Sequence, residues 1–367
     1  MALRRAYPII IAILTLLILF SIVVSIPHQE VEVNTYKIMM ETTLINNGSD
    51  IWSLSEEYLS IYLFHNTSYQ TTQLLDTDPS ILYKASDEDG NPYVTLKLDR
   101  SELKPGENLT FQAVFKASKR KNINIELNEL SGELSDIPDE LREKYCKGSA
   151  VWHINNTELR DLAFELASGR NTVLDIVLNY VKWIKSNVNY AFEQEVPLYP
   201  NETYRERLGD CDDQAILLIT LCRIYGIPAY LQIGCIYNPS IPTQESIFWN
   251  GHFIYKYEKI AWHGWAIVYI PPWGWLPIDL TYSSPDPMST ITNAAINSEF
   301  TLLYLNISDQ DYVGDSRRER ERLERGNLII KMFDRMSEYK EETLSIMITV
   351  TPREIYQINL RRIRYYA

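Results

Sequence analysis

At 367 residues the chain is long enough for two or three domains, and its 46% hydrophobic content supplies material for real cores. A formal charge of −13, from 48 acidic against 35 basic side chains, argues against a nucleic-acid partner, because phosphate binding needs a basic footprint. The same balance suits a solvated surface.

In chain order, Arg4 and Arg5 precede an uncharged apolar run from Ala6 to Ile26, close to the ~20 residues that cross a bilayer core as a helix. Glu30 and Glu32 follow it, so the charge asymmetry predicts a cytoplasmic tip (1–5), a transmembrane anchor (6–26) and the bulk of the chain outside the cell membrane. A cleaved signal peptide is the competing reading, with Val23-Val24-Ser25 as a poor cleavage site; the run is long for a signal h-region. Asn-x-Ser/Thr sequons beginning at Asn47, Asn66, Asn108, Asn155, Asn201 and Asn306 agree with an exported surface.

From residue 30 to 135 the pattern is β. Stretches such as VEVNTYKIMMETTLI, LSIYLF, YVTLKL and LTFQAVF are separated by turn signals at Asn47-Gly48, Asp89-Gly90-Asn91-Pro92 and Lys104-Pro105-Gly106. Strands at that spacing predict a small, Ig-like β-sandwich. A helix over 158–167, capped by Asn156 or Thr157, and a second to about Asn187, capped by Asn171 or Thr172, follow. The second carries Val173, Ile176, Val177, Tyr180, Val181 and Ile184 at helical spacing, which is a core-facing stripe.

The helix expected from Cys211 or Asp212 to Tyr225 is apolar all round and therefore interior. Asp210 is its N-cap, Gly226 its stop, and Pro228 lies just beyond. A cysteine opening a helix gains thiolate character from the helix dipole, but Asp210, Asp212 and Asp213 oppose it by like-charge repulsion. A histidine is then needed to activate the thiol. His263–Ile270 and Trp275–Tyr282 read as strands flanking Pro271-Pro272-Trp273-Gly274. In an unbulged hairpin centred on Pro271, His263 and Asp279 face each other directly across the pair. Cys211, His263 and Asp279 are thus the candidate nucleophile, base and base-orienting acid. His252 is the rival base, and Tyr190 a candidate for a second oxyanion donor.

Other signals are weaker. Five tryptophans between Trp249 and Trp275, with Phe248, Phe253, Tyr255 and Tyr257, suit either core packing or an aromatic cleft. After Tyr282 a strand near 300–305, the charged run RRERERLERG (317–326) as a solvated helix face, a helix to about Thr343 and a β-like SIMITVT are expected. The four cysteines lack C-x-x-C spacing and the histidines (28, 65, 153, 252, 263) lack ligand spacing, so no metal or organic cofactor is implied.

The segment from about Val173 to Tyr282 resembles the transglutaminase-like superfamily. The resemblance is carried by Cys211, Gly226-Ile227-Pro228-Ala229, His263-Gly264-Trp265 and Trp275-Leu276-Pro277-Ile278-Asp279. Gly264 stands where that family usually has Ala or Ser, and Ile267 where an acid is common. The resemblance implies an α+β, papain-like core over 140–290, with the Cys211 helix packed on an antiparallel sheet bearing His263 and Asp279. The β-sandwich over 30–135 precedes it and an α/β extension over 291–367 follows. The resemblance does not fix the reaction; the triad itself suggests a Cys-His-Asp enzyme that cleaves or transfers an amide acyl group of a peptide or protein through a Cys thioester. A catalytically idle module binding peptide or glycan, and a structural envelope protein, are the alternatives.

Overall fold

The computed structural model describes residues 33–120, 127, 131–149, 151–191, 194–282 and 286–339, and the strand backbones of 344–350 and 354–360. The expected membrane anchor at 6–26 lies outside the described residues; among those described, no helix is long and apolar enough to cross a membrane.

Among the described residues two large cores organise the α+β fold, with a small third cluster of Trp265, Ile267, Ala294, Ile296 and Leu303. In the first, the strand Asn108–Arg120 alternates buried and accessible side chains along its length, the period-two signature of a sheet with one covered face. It pairs antiparallel with Val33–Asn46 and with Gln70–Asp78. A second layer, Ser60–Tyr62, Pro92–Leu96 and Ile81–Ser86, forms a three-stranded sheet. Ile38, Leu44, Val94, Leu96, Leu103 and Phe115 are buried in this sandwich core.

The sandwich draws on distant parts of the chain. Its large sheet continues from Val33–Asn46 to Leu328–Glu338, then to Phe253–Glu258 and Gln244–Phe248. Strand pairing therefore runs across the segment limits at 135, 140 and 290 expected from the sequence. The helix expected up to Thr343 ends instead at Gly326, where Asn327 adopts a left-handed conformation, and Leu328–Glu338 is a strand. Its register against Val33–Asn46 buries Leu328, Asp334 and Met336, a tertiary gain that local helix pattern does not report.

The second core packs helices on an antiparallel sheet ordered Gly274–Ile278, Ile260–Ile270, Ala229–Tyr237 and Thr301–Ile307. The helix Thr157–Ala167 is capped by Asn156, whose side chain accepts from the Leu159 N–H; the helix Val173–Asn187 is capped by Thr172, which accepts from Asp175. Between them and the sheet lies the helix Cys211–Ile224, buried almost continuously from Asp213 to Arg223. Its C-terminus closes with Gly226 at φ +83°, the Ile227 N–H bonded to the Cys222 carbonyl and the Gly226 N–H to that of Arg223. This is the Schellman closure that the Gly-Ile-Pro run predicts.

The charged run is a packed helix rather than a purely solvated face. Tyr312–Gly326, capped by Asp311, directs Arg317 in a two-pronged bond to Glu202, Arg320 to Glu195, and Glu319 to the Tyr58 hydroxyl. It thereby ties the loop ahead of the Cys211 helix to both cores.

Candidate active site

Asp210 turns the chain into the Cys211 helix. Its carboxylate accepts the Asp213 N–H at 3.4 Å while the Asp213 carboxylate accepts the Asp210 N–H at 3.2 Å, a reciprocal cap that fixes Cys211 at the first helical position. Ahead of it, Leu208-Gly209 pairs in parallel with Asn189-Tyr190, which holds Tyr190 beside the cysteine. Buried Asp213 also accepts from the Leu198 N–H at 2.7 Å, fastening the preceding loop.

The strand Ile260–Ile270 brings the second group. Its Gly264 N–H donates to Cys211 Sγ at 3.4 Å, so the backbone beside His263 touches the sulfur directly. A Cβ at Gly264 would stand 2.9 Å from the Asp212 Cβ, closer than atoms of this kind approach. Glycine at this position thus reflects an intimate contact of strand with helix start.

His263 Nε2 lies 2.9 Å from Asp279 Oδ2 and 3.1 Å from Oδ1. The direct opposition expected from the sequence is replaced by a diagonal one. The ladder pairs Ile270 with Gly274 and Ala266 with Ile278, because the loop is Pro271-Pro272-Trp273 and its centre is Pro272. One step beyond the last pair sets Asp279 level with Trp265, two residues from His263. A two-residue offset preserves the face of the sheet, so the pair still meets. With Nε2 engaged by the acid, Nδ1 is the ring nitrogen left to exchange a proton with a thiol.

Asp279 is fully buried and held from three sides: Thr281 and Tyr282 N–H groups donate to Oδ1, and the Ala295 N–H donates to Oδ2 at 2.9 Å. Burial alone would raise its carboxyl, but the His263 hydrogen bond and charge, with the Ala295 and Tyr282 amides, outweigh it and hold Asp279 below the ordinary carboxylate range. Cys211 goes the other way. Burial first, then the charges of Asp212 and Asp210, push its thiol well above the ordinary range, against the Gly264 and Asp212 backbone hydrogen bonds that lower it. Asp210 and Asp213 are themselves raised by burial and by the charge of Asp212.

Several contributors were not legible in the sequence. Tyr312 donates to Asp212 Oδ2 at 2.8 Å from a helix a hundred residues on, and Lys185 donates to the Leu280 carbonyl beside Asp279 at 2.7 Å. The rival His252 binds the Leu328 carbonyl in the sandwich sheet. Trp262 and Trp265 direct their indole N–H groups to Asp334 and Gln232, and Phe248, Phe253, Tyr255 and Tyr257 stack along their strands, so the aromatic run is largely packing. Ligand atoms of Asp210, Cys211 and Asp212 lie within 4.8 Å of one another, but Asp210 and Asp212 are occupied with the Asp213 N–H and Tyr312. All four cysteines are free thiols.

Fold and site together define an α+β protein with a transglutaminase-like core. Residues 160–280, which contain Cys211, His263 and Asp279, match the model of the transglutaminase-like superfamily. The fold is shared with a candidate cysteine protease from Cytophaga hutchinsonii, at a TM-score of 0.51 and 15% identity over 85% of this chain and 93% of that one. A candidate protease from Parabacteroides distasonis (TM-score 0.27, 11% identity, 77% and 69% covered) and red sea bream transglutaminase (TM-score 0.26, 12% identity, 70% and 50% covered) superpose too loosely to add to the argument. No curated protein matches the chain.

Proposed function

We propose that this protein is a transglutaminase-like cysteine enzyme that takes an amide acyl group of a peptide or protein onto Cys211. The observation that carries the reading is the meeting of three chain segments: the Cys211 sulfur against the Gly264 N–H, and His263 beside that glycine bonded to buried Asp279. His263 Nδ1 takes the thiol proton as the sulfur attacks the carbonyl carbon, and Asp279 orients the ring and balances the imidazolium. The Cys211 backbone N–H, at a helix start, donates to the developing oxyanion. Tyr190 stands by as a second donor; although it is exposed at the surface, partial desolvation and the charges of Asp210, Asp212 and Asp213 keep its hydroxyl protonated. Collapse of the tetrahedral species breaks the C–N bond, and the imidazolium protonates the leaving amine. The resulting thioester passes to water, giving hydrolysis, or to an amine, giving transfer.

Because the thiol is held neutral at rest, activation belongs to the encounter with substrate rather than to a standing thiolate. The same raised thiol favours a second reading, an idle module that binds peptide without turnover. Incubation with amide peptides, acid quench and intact-mass measurement separates them: an acyl adduct that disappears in Cys211→Ala supports the enzyme, and retained peptide capture with no adduct on any substrate tried supports the binder.

Placement outside the cytoplasm on an N-terminal anchor belongs to the same proposal. It is supported by the apolar run 6–26 with its flanking charges, and by exposure of the sequon residues Asn47, Asn66, Asn108 and Asn155. Asn201 and Asn306 bond to His153 and Gln232 and suit packing better than glycan attachment.

A further inference from the structure

The sandwich strand Asn108–Arg120 carries Lys119 near its end, and this lysine is fully enclosed. Its Nζ donates to the Ile296 carbonyl at 2.9 Å and lies 4.1 Å from the centre of the Tyr69 ring. Burial is the one influence on its ionisation among the described residues, and it lowers the ammonium to about 7. A cation taken out of water with no carboxylate among the described residues to meet it is an unfavourable way to fasten two layers, since an apolar side chain would do so without the desolvation penalty.

What the ammonium grips explains its place. Ile296 belongs to the short turn Ala295–Asn297, and the first amide of that turn is the Ala295 N–H that donates to Asp279 Oδ2. The carbonyl on the lysine and the amide on the acid belong to adjacent residues. Gln70, the register partner of Lys119, is also buried and exchanges hydrogen bonds with Leu303 at 2.9 and 2.8 Å, so the sandwich clasps the segment just after the turn as well.

We propose that Lys119 is a positioning residue for Asp279: delivered from the β-sandwich, it fixes the Ala295–Asn297 turn so that the Ala295 amide stays on the acid that orients His263. The inference rests on the reading of Asp279 as the orienting acid, and it makes the sandwich a working part of the site.

The test compares the full chain with Lys119→Met and Lys119→Arg. Three quantities are followed: the melting temperature, the downfield Nε2–H proton of His263 in a nitrogen-labelled sample, and the rate of Cys211 alkylation by iodoacetamide. For Lys119→Met we expect an unchanged or higher melting temperature, because a buried unpaired charge is gone. We also expect a displaced or broadened His263 proton, and alkylation slower by about tenfold, the low end of what loss of an outer-shell partner costs. Lys119→Arg, which keeps a buried cationic donor, should retain the His263 signal. A folded Lys119→Met with an unmoved signal overturns the proposal, and so does failure of both variants to fold, since the lysine would then be a staple of the fold. If His263→Ala leaves alkylation untouched while Lys119→Met still displaces the signal, the catalytic reading fails and the positioning role stands.

Discussion

Replacing Asp212 by asparagine should make Cys211 more reactive, because the carboxylate nearest the sulfur is what the thiolate must form against. Asp212 Oδ1 stands 3.8 Å from Sγ, and its charge is the largest influence on the thiol after burial. Two unit charges at that distance repel by about 4 kcal/mol at an effective dielectric of 20 and by about 1 kcal/mol at that of water. The thiol pKa should therefore fall in the variant, since the largest charge opposing the thiolate is gone. A lower pKa multiplies the thiolate fraction tenfold per unit at a pH below the pKa, while the intrinsic nucleophilicity of the weaker base falls only about threefold per unit, for a Brønsted coefficient of about 0.45. The thiolate gain outweighs the loss of nucleophilicity, so labelling should accelerate about threefold or more. The assay is the pH dependence of iodoacetamide labelling of Cys211, read by mass, in the native chain and in Asp212→Asn. Asparagine can still accept the Tyr312 hydroxyl through its amide oxygen, so the helix start should persist. Tyr312→Phe, which leaves the carboxylate charged, should not accelerate labelling. Unchanged or slower labelling in a folded Asp212→Asn would refute the electrostatic account of Cys211.

Two further substitutions probe contacts that hold the site and its neighbouring core. Gly264→Ala places a methyl 2.9 Å from the Asp212 Cβ and 3.3 Å from its Cα, so we expect a loss of about 1–3 kcal/mol in chemical denaturation together with slower Cys211 labelling as the Gly264 N–H is pushed off the sulfur; a variant normal in both would show the contact to be slack. Asp334 is buried with Trp262 and Tyr255 on Oδ2 and no partner on Oδ1 among the described residues, and burial raises it to about 6. The native state then holds its proton more tightly than the unfolded chain, so stability is favoured below about pH 4 and falls as pH rises to about 6, by roughly 3 kcal/mol for a two-unit shift. Asp334→Asn should recover part of this at pH 8 and little of it at pH 4, as denaturant melts at the two pH values will show; equal effects at both would contradict the burial argument.

Local chemistry carried far in the sequence. Caps at Asn156, Thr172 and Asp210, the Gly226 stop and the Pro271-Pro272 breaker each act within a few residues, and the helices and hairpin appear where those signals put them. Cys211, His263 and Asp279 could be singled out because a thiol at a helix start and an acid on the same sheet face as a histidine are patterns of short range. The diagonal offset of His263 and Asp279 escaped because the loop is centred on Pro272 rather than Pro271, a one-residue move of the centre that shifts the pairing by two residues. Leu328–Glu338 was hidden for a different reason: a charged helix precedes it, and its strand character comes from partners at Val33–Asn46 and Phe253–Glu258. Lys119 and Tyr312 come from sequence positions remote from the site, and only packing brings them to the Ile296 carbonyl and to Asp212.

The central claim is that sulfur, imidazole and buried acid act as one unit. It is tested most directly by the second-order rate of Cys211 alkylation at neutral pH in the native chain and in His263→Ala, with folding checked by circular dichroism. The account predicts a loss of at least about tenfold in His263→Ala, in line with what a positioned base contributes. Equal rates in two folded proteins would contradict it.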